Sequence, residues 1–552
     1  MNQPLVERVT EWMAGDPDET DRATLAALLE EGDETELRRR FDAPLTFGTA
    51  GLRGPEMAGP AGMNRCTVRR ATQGVIAWLR ELGLDFSRGV VVGRDGRHGS
   101  EAFNNEVVAV LLGAGVKVYE MPGPLPTPLV AYSVKALKAA AGIMITASHN
   151  PAQDNGFKLY AADGAQIIPP HDQTVERFAS EATTPVLGDR SSTLHSVVPG
   201  ELWADYQRHF VERFGVPFGS VLRVTYTPLH GVGGVSMMEL LTSAGFSAVT
   251  PVGAQFLPDA DFPTLAFPNP EEPGALDRAL ATADKSSSTL VIANDPDADR
   301  LGAAVLGPKG WRTLRGDEIG WLLASTLLSD ADPSRDVVAT SIVSSTMLKK
   351  MAAAQHVRFA ETLTGFKWIS RSAGNGVLRF GYEEALGFAV DPLVADKDGM
   401  SAGLALCHLA HHLAQQGQTL LDRLDEIESR YGVHAVSQLS FRVDGPEAMS
   451  IIAATVNRMR ASPPSTLGGL DVSEVVDLES GWHGLLPTEG MVLQLGTHGR
   501  VVVRPSGTEP KLKAYVEILG DAGSGESLQQ QRDAAHEQLV AVGNELTELL
   551  KF

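Results

Sequence analysis

The chain has 552 residues and a formal net charge of -21, too long for one core and acidic enough to exclude nucleic acid or an anionic membrane surface as its main partner. Cys66 and Cys407 are its only cysteines, which excludes a disulfide framework or a thiolate metal site and suits a reducing compartment. With no basic-then-apolar leader and no apolar run of bilayer length, the expectation is a cytoplasmic protein of three or four domains, without a membrane partner.

The first forty or so residues read as helical and acidic, with Leu5, Val9 and Trp12 at helical spacing. A repeating order follows. Gly89-Val-Val-Val-Gly reads as a strand, then come a polar loop from Arg94 to Ser100, a helix around Val107–Leu112, the turn Gly113-Ala-Gly and a strand from Val116. The same order returns from Leu222, through a helix Met237–Leu241 to a strand from Phe246, and again from Val337, through a helix Met347–Ala353 to a strand from Val357. Each is a βαβ unit whose strands should lie parallel. Beyond about residue 435, alternating strands at Ser437–Val443 and Val501–Val503 mix with helices at Met449–Met459 and Ser527–Leu550, the texture of an α+β domain.

Four segments carry residues suited to chemistry. Ser148 follows an apolar strand (Ala141–Ile145) and precedes the turn signal Asn150-Pro151, with His149 adjacent and Lys158 close by. Such a serine can project into a cleft and act as a nucleophile if a neighbour takes its proton; taken alone it also fits an ordinary loop serine. Asp295, Asp297 and Asp299 follow the apolar run Thr289-Leu-Val-Ile-Ala at alternate positions. An all-carboxylate set suits Mg²⁺ or Ca²⁺. An EF-hand would need Gly and Glu where Arg300 and Leu306 stand. Asp-x-Asp after a strand also fits an aspartyl-phosphate phosphatase with Asp295 as nucleophile. Arg504-Pro-Ser-Gly-Thr offers a guanidinium fork, the hydroxyls of Ser506 and Thr508, and backbone N–H groups around Gly507, either a phosphate cradle or a plain turn. Thr364-Gly-Phe-Lys and Gly381-Tyr-Glu-Glu-Ala offer paired glutamates for sugar hydroxyls, and Lys397 in Asp396-Lys-Asp-Gly is a candidate acid or base.

In this order and spacing, Thr-Ala-Ser148-His-Asn-Pro, Asp295-Pro-Asp-Ala-Asp-Arg, Gly381-Tyr-Glu-Glu-Ala and Arg504-Pro-Ser-Gly-Thr resemble the α-D-phosphohexomutase superfamily. The resemblance implies an α/β chain of three tandem similar α/β domains plus a C-terminal α+β domain around a central cleft. The expected domains are 1–205 with the phosphoserine loop, 206–313 with the metal loop, 314–434 with the sugar-binding loop and 435–552 with the phosphate-binding loop. Ser148 resembles the phosphorylated serine, and Asp295, Asp297 and Asp299 resemble Mg²⁺ ligands completed by a phosphoserine oxygen. Glu383 resembles the sugar-hydroxyl ligand, Thr364 and Gly365 a substrate loop, with Lys367 nearby expected to bind substrate, and Arg504, Ser506, Gly507 and Thr508 the distal phosphate site. Arg53, His149, Lys158 and Lys397 resemble cleft residues that bind phosphate or move protons, and Arg300 is expected among the substrate-binding residues. Ala385 stands where many hexose-specific relatives have serine, which resembles the phosphoglucomutase-2/phosphopentomutase-like branch.

The expected activity is therefore a phosphosugar mutase that interconverts glucose 1-phosphate and glucose 6-phosphate through a phosphoserine enzyme, with Mg²⁺ and a sugar bisphosphate as intermediate or activator. Phosphomannomutase and phosphopentomutase activities of the same mechanism are the alternatives. An aspartyl-phosphate phosphatase and a non-catalytic sugar-phosphate-binding protein are the readings from other classes. A phosphosugar is the expected partner, and the expected state is a monomer or homodimer.

Overall fold

The computed structural model describes residues 3–48, 51–217, 220–443, 445, 447–506, 511–520 and 525–552. It divides into two compact units, Met1–Leu314 with Leu386–His411, and Arg315–Ala385 with His412–Phe552.

In the first unit, strands Leu52–Pro55, Asp154–Ala161, Ala141–Ile145, Val90–Arg94, Val118–Pro124 and His195–Val197 form one sheet in that order. Ala141–Ile145, Val90–Arg94 and Val118–Pro124 run parallel, as the βαβ pattern requires. Every residue of Ala141–Ile145 is buried, because helices Ser100–Gly113 and Thr127–Ala136 pack on the sheet and leave its central strands no polar face. Val92, Val107, Leu111 and Ile143 meet in this core, each burial being worth about 1.5–3 kcal/mol. Asp154–Ala161 adds antiparallel to Ala141–Ile145 and pairs Lys158 with Met144. Leu52–Pro55 closes that edge and pairs Arg53 with Gly156.

A second sheet places Leu290–Ala293 between Val224–Thr227, parallel to it, and Gly302–Gly307, antiparallel. The acidic N-terminal stretch forms three helices, Gln3–Gly15, Glu19–Glu31 and Glu34–Phe41. The side chains of Asp18 and Asp33 cap the second and third, while Leu5, Val9, Leu25 and Leu37 bury one face. The segment from Leu386 to His411 joins this unit through Leu301 N–H to Leu386 O at 3.0 Å and Tyr206 O–H to Asp398 Oδ2 at 2.6 Å.

In the second unit, Asp336–Ser341 lies parallel to both Arg358–Thr362 and Val377–Glu383, the third α/β domain. A wholly antiparallel sheet follows: His434–Arg442, Lys511–Leu519, Gly499–Pro505, Met491–Gln494 and Glu474–Asp477. Helices Ala448–Ala461 and Leu528–Leu549 bring Ile452 and Leu546 into one core with Val501 and Val516 of the sheet. The chain thus carries three α/β domains and a C-terminal α+β domain.

Buried in this unit, Asp317 accepts hydrogen bonds from Ser345 N–H and Tyr382 O–H, both at 2.8 Å. Burial first, with Glu384 and Glu517 adding to it, pushes its carboxyl from 3.8 up to about 7. Because the folded value lies above the unfolded one, the stabilising contribution is complete below pH 3.8 and is lost as pH rises through 7. Charging this group costs roughly 4 kcal/mol at about 1.4 kcal/mol per pKa unit. Asp317→Asn keeps an acceptor and carries no charge, so its melting temperature should fall less than the wild type's between pH 5.5 and 8. Parallel melting curves for the two proteins would remove Asp317 as the source of the pH dependence.

Candidate active site

Ser148 stands just past the strand Ala141–Ile145 with φ of 52°, a left-handed conformation that a non-glycine residue adopts at a cost. The Thr146 hydroxyl accepts from Ser148 N–H at 2.8 Å and turns the chain there. The Ser148 hydroxyl then donates to Asp295 Oδ2 at 2.8 Å and lies 3.3 Å from His149 Nδ1. Asp295, Asp297 and Asp299 leave the end of the strand Leu290–Ala293 in a tight turn, with Ala298 also left-handed at φ of 56°. All three aspartates are fully buried, and one carboxylate oxygen from each lies within 4.8 Å of the others.

Three buried carboxylates repel one another, and the surrounding cations decide which stays charged. Lys158 is itself fully buried and reaches Asp297 Oδ2 and Asp299 Oδ2, both at 2.6 Å. Lys397 Nζ lies 2.9 Å from Asp299 Oδ2. Burial opposes ionisation of Asp297, but Lys158 and the Thr127 hydroxyl, at 2.7 Å from Oδ2, hold it below the usual carboxylate range. Asp299 is likewise lowered, with Lys158, Lys397 and Arg300 outweighing burial and Asp297. Asp295 goes the other way: burial, then Asp299 and Asp297, push it well above the usual range, and its Oδ2 accepts the hydrogen bond from the Ser148 hydroxyl. Burial and the cations Arg300 and Arg53 hold half-buried His149 well below the usual imidazole range, so it is neutral near pH 7. Arg300 N–H donates to Asp295 Oδ1 at 2.9 Å. Arg53 Nη1 donates to Asn150 Oδ1 at 3.2 Å, on the loop that carries Ser148.

The donor set fits a hard cation. Lys158 and Thr127 occupy Oδ2 of Asp297, while Oδ1 of Asp297 and of Asp299 are buried with no hydrogen-bond donor among the described residues. Oxygen-only ligands fixed from behind in this way suit Mg²⁺ or Ca²⁺ rather than a softer ion. Thr146 opens the Thr-Ala-Ser148-His-Asn-Pro motif without being singled out by its chemistry, and Thr127 carries no motif of its own. Pro at 126 and 128 around Thr127 is the one local signal, and it marks a helix start rather than a ligand.

The remaining candidates belong to the second unit. Glu383 ends the strand Val377–Glu383, and its Oε1 accepts from Gly365 N–H at 2.6 Å, so these two come together. Gly365 has φ of 110°, which side chains rarely adopt, and Thr364 beside it is half-buried. Lys367 is buried on the short helix Phe366–Ile369. Glu384, the other member of the acidic pair, turns inward instead and accepts from the hydroxyls of Ser344 at 2.9 Å and Ser341 at 3.2 Å. Arg504 lies near the end of the strand Gly499–Pro505, beside the Tyr515 hydroxyl, and Ser506 N–H donates to Lys511 O at 2.8 Å. Gly507 and Thr508 lie outside the described residues.

A serine hydroxyl against a buried, oxygen-only acidic cluster with lysines behind it is the constellation of a phosphoryl-transfer enzyme. Family models for the three alpha/beta/alpha domains of phosphoglucomutase/phosphomannomutase match residues 44–185, 204–307 and 315–431, and that for the C-terminal domain matches 446–535. The chain is 34% identical over 572 residues to a phosphopentomutase of Mus musculus, covering 95% of this chain and 92% of that protein. It is 33% identical over 510 residues to a phosphoglucomutase of Staphylococcus aureus, covering 89% and 92%. The crystal structure of a phosphoglucomutase/phosphomannomutase family protein from Burkholderia thailandensis has the same fold, with a TM-score of 0.67 at 20% identity over 90% of this chain and 97% of that one. The chain belongs to the phosphoglucomutase/phosphomannomutase family of the α-D-phosphohexomutase superfamily. It is a phosphosugar mutase, an isomerase that acts as an intramolecular phosphotransferase. No described helix is long and apolar enough to cross a membrane.

Proposed function

We propose that this mutase interconverts sugar 1-phosphates and terminal-carbon phosphates, glucose 1-phosphate and glucose 6-phosphate first among them, with Ser148 as the phosphoryl carrier. The observation that carries the reading is the Ser148 hydroxyl 2.8 Å from a buried carboxylate of the triad. In the forward half-reaction, the phosphoryl group leaves Ser148 for the free sugar hydroxyl. The sugar bisphosphate then reorients and returns its other phosphate to Ser148. Mg²⁺, held by Asp295, Asp297, Asp299 and a phosphoserine oxygen, would supply Lewis-acid stabilisation of the transferring group.

The protein's own groups do the rest by position and charge. Neutral His149, 3.3 Å from the Ser148 hydroxyl, is available to exchange its proton. Lys158 and Lys397 hold Asp297 and Asp299 charged and fixed. Arg53 steadies the serine loop through Asn150, and Arg300 is placed beside Asp295 to meet a phosphoryl oxygen. Glu383, with Thr364, Gly365 and Lys367, would read the sugar hydroxyls, while Arg504, Ser506, Gly507 and Thr508 would hold the unreacting phosphate. A cytoplasmic setting goes with this reading, since Cys66 and Cys407 are both buried free thiols.

A pentose phosphate is the second reading. The relative in Mus musculus is a phosphopentomutase aligned over 92% of its length, and Ala385 offers no hydroxyl to a hexose ring. Losing one neutral hydrogen bond costs only about 0.5–1.5 kcal/mol, so selectivity should be relaxed rather than reversed. Rates compared across glucose, mannose, glucosamine and ribose 1-phosphates test the choice. Glucose 1-phosphate should turn over together with measurable mannose or ribose 1-phosphate, and Ala385→Ser should sharpen hexose preference by at most about tenfold. Discrimination by many orders of magnitude, or a serine variant with unchanged ratios, would take Ala385 out of the account.

A further inference from the structure

Arg97 lies in the loop between the strand Val90–Arg94 and the helix Ser100–Gly113, with its side chain 1% exposed. Its guanidinium binds the serine loop along its whole length. Nη2 donates to the carbonyl oxygens of Ser148 at 2.7 Å and Asn150 at 2.6 Å, and Nη1 to those of Pro151 at 2.8 Å and Asp154 at 3.0 Å. Nε faces Asp95 Oδ2 at 3.2 Å, while Asp95 Oδ1 accepts from Arg97 N–H and the Ser100 hydroxyl and so ties the fork to its own loop. The Phe262 ring covers the group, 5.1 Å from centroid to guanidinium carbon.

Irregular backbone turned inward must have its carbonyls satisfied. Here one planar cation satisfies four of them at once, each by a charge-assisted bond. Those four carbonyls run from the left-handed Ser148 itself to Asp154, and the Ser148 hydroxyl, at a φ of 52°, meets Asp295. Arg97 does not contact that hydroxyl. Lysine could not replace it, because a single ammonium lacks the fork that spans four acceptors.

We propose that Arg97 is a positioning residue: it locks the Ser148 loop in the strained conformation that presents the hydroxyl for phosphoryl transfer, and so governs the transfer step rather than sugar affinity. This rests on Ser148 being the phosphoryl carrier. In the loading step, the P–O bond to the sugar breaks, the bond from phosphorus to Ser148 Oγ forms, and the serine proton passes to the released sugar hydroxyl. A loop freed by about 1 Å costs roughly 100-fold in such a step.

The test uses full-length wild type, Arg97→Ala and Arg97→Lys, assayed with glucose 1-phosphate plus glucose 1,6-bisphosphate. Phosphate arriving on Ser148 from the bisphosphate is followed separately by intact mass. Both variants should lose kcat by about 100-fold with KM within about threefold, and loading of Ser148 should slow by the same factor. Added guanidinium should restore Arg97→Ala by at least about tenfold, whereas sodium at equal ionic strength should not, a response that a general loss of packing would not give. Should Arg97→Ala fail to fold, the kcat, KM and loading rate of Arg97→Lys decide. A kcat within about threefold of wild type in either folded variant, a loss that falls on KM instead, or no guanidinium response in a folded Arg97→Ala overturns the proposal. Phosphate from the bisphosphate that maps to a residue other than Ser148 in the wild type would instead overturn the assignment of Ser148, so the two failures are distinct.

Discussion

Ser148→Ala should abolish mutase turnover, by about 10⁴-fold or more, while the protein still folds. Losses of that size follow removal of a covalent nucleophile, since no neighbour can form the same intermediate. The effect on stability should be small. The substitution removes the hydroxyl that Asp295 accepts, worth about 1 kcal/mol net, and alanine meets the same strain at φ of 52° that serine already bears. Intact-mass measurement should find a single phosphate on the wild type that maps to Ser148 and is missing from the variant. Retained turnover in the alanine variant, or a phosphate that maps to Asp295, would refute the phosphoserine mechanism; the second result would favour an aspartyl-phosphate enzyme.

The second large effect is expected from the acidic cluster. A chelator should stop turnover and Mg²⁺ restore it. Asp297→Asn should weaken metal use by more than the roughly 10- to 100-fold that loss of a supporting partner costs, because it alters a ligand itself. The geometry explains why so small a change matters. Asp297 Oδ2 is committed to Lys158 and Thr127, and Oδ1 has no donor among the described residues. An asparagine must turn its amide N–H₂ either toward those donors or toward the cation, and both encounters are repulsive. Activity of Asp297→Asn measured across a Mg²⁺ titration reads the loss directly. Undiminished rates in excess chelator would remove the metal from the mechanism.

Much of this architecture is legible in the sequence because its signals are local. Apolar runs such as Ala141–Ile145 and the polar loops after them mark the βαβ units, and the structure places parallel strands there. The helix expected at Val107–Leu112 runs from Ser100 to Gly113; its first turn is polar, so the apolar pattern alone underestimates its length. Parts of the cluster that depend on pairing register are harder to read. Lys158 reaches the aspartates because an antiparallel strand sets it beside Met144, and no spacing rule gives that register. Thr127 reaches Asp297 from the start of another helix. The glutamate pair shows the converse difficulty. Two adjacent identical residues look equivalent in sequence, yet Glu383 binds Gly365 N–H while Glu384 turns toward Ser341 and Ser344.

The return of Leu386–His411 to the first unit sets an order of events during synthesis. Residues 1–314 leave the ribosome first, but the unit they form lacks Lys397, the partner of Asp299, and Asp398, the partner of Tyr206, until the intervening residues 315–385 have also emerged. The first unit therefore cannot mature as a simple N-terminal domain. Its last contacts close a loop of some seventy residues, whose closure entropy grows only slowly with length but must be met before those contacts form. Until then the acidic cluster has Lys158 and Arg300 beside it but not Lys397. Completion of the charge cluster is thereby tied to translation past Lys397, and a chain cut at Leu314 would lack the ammonium that lies 2.9 Å from Asp299.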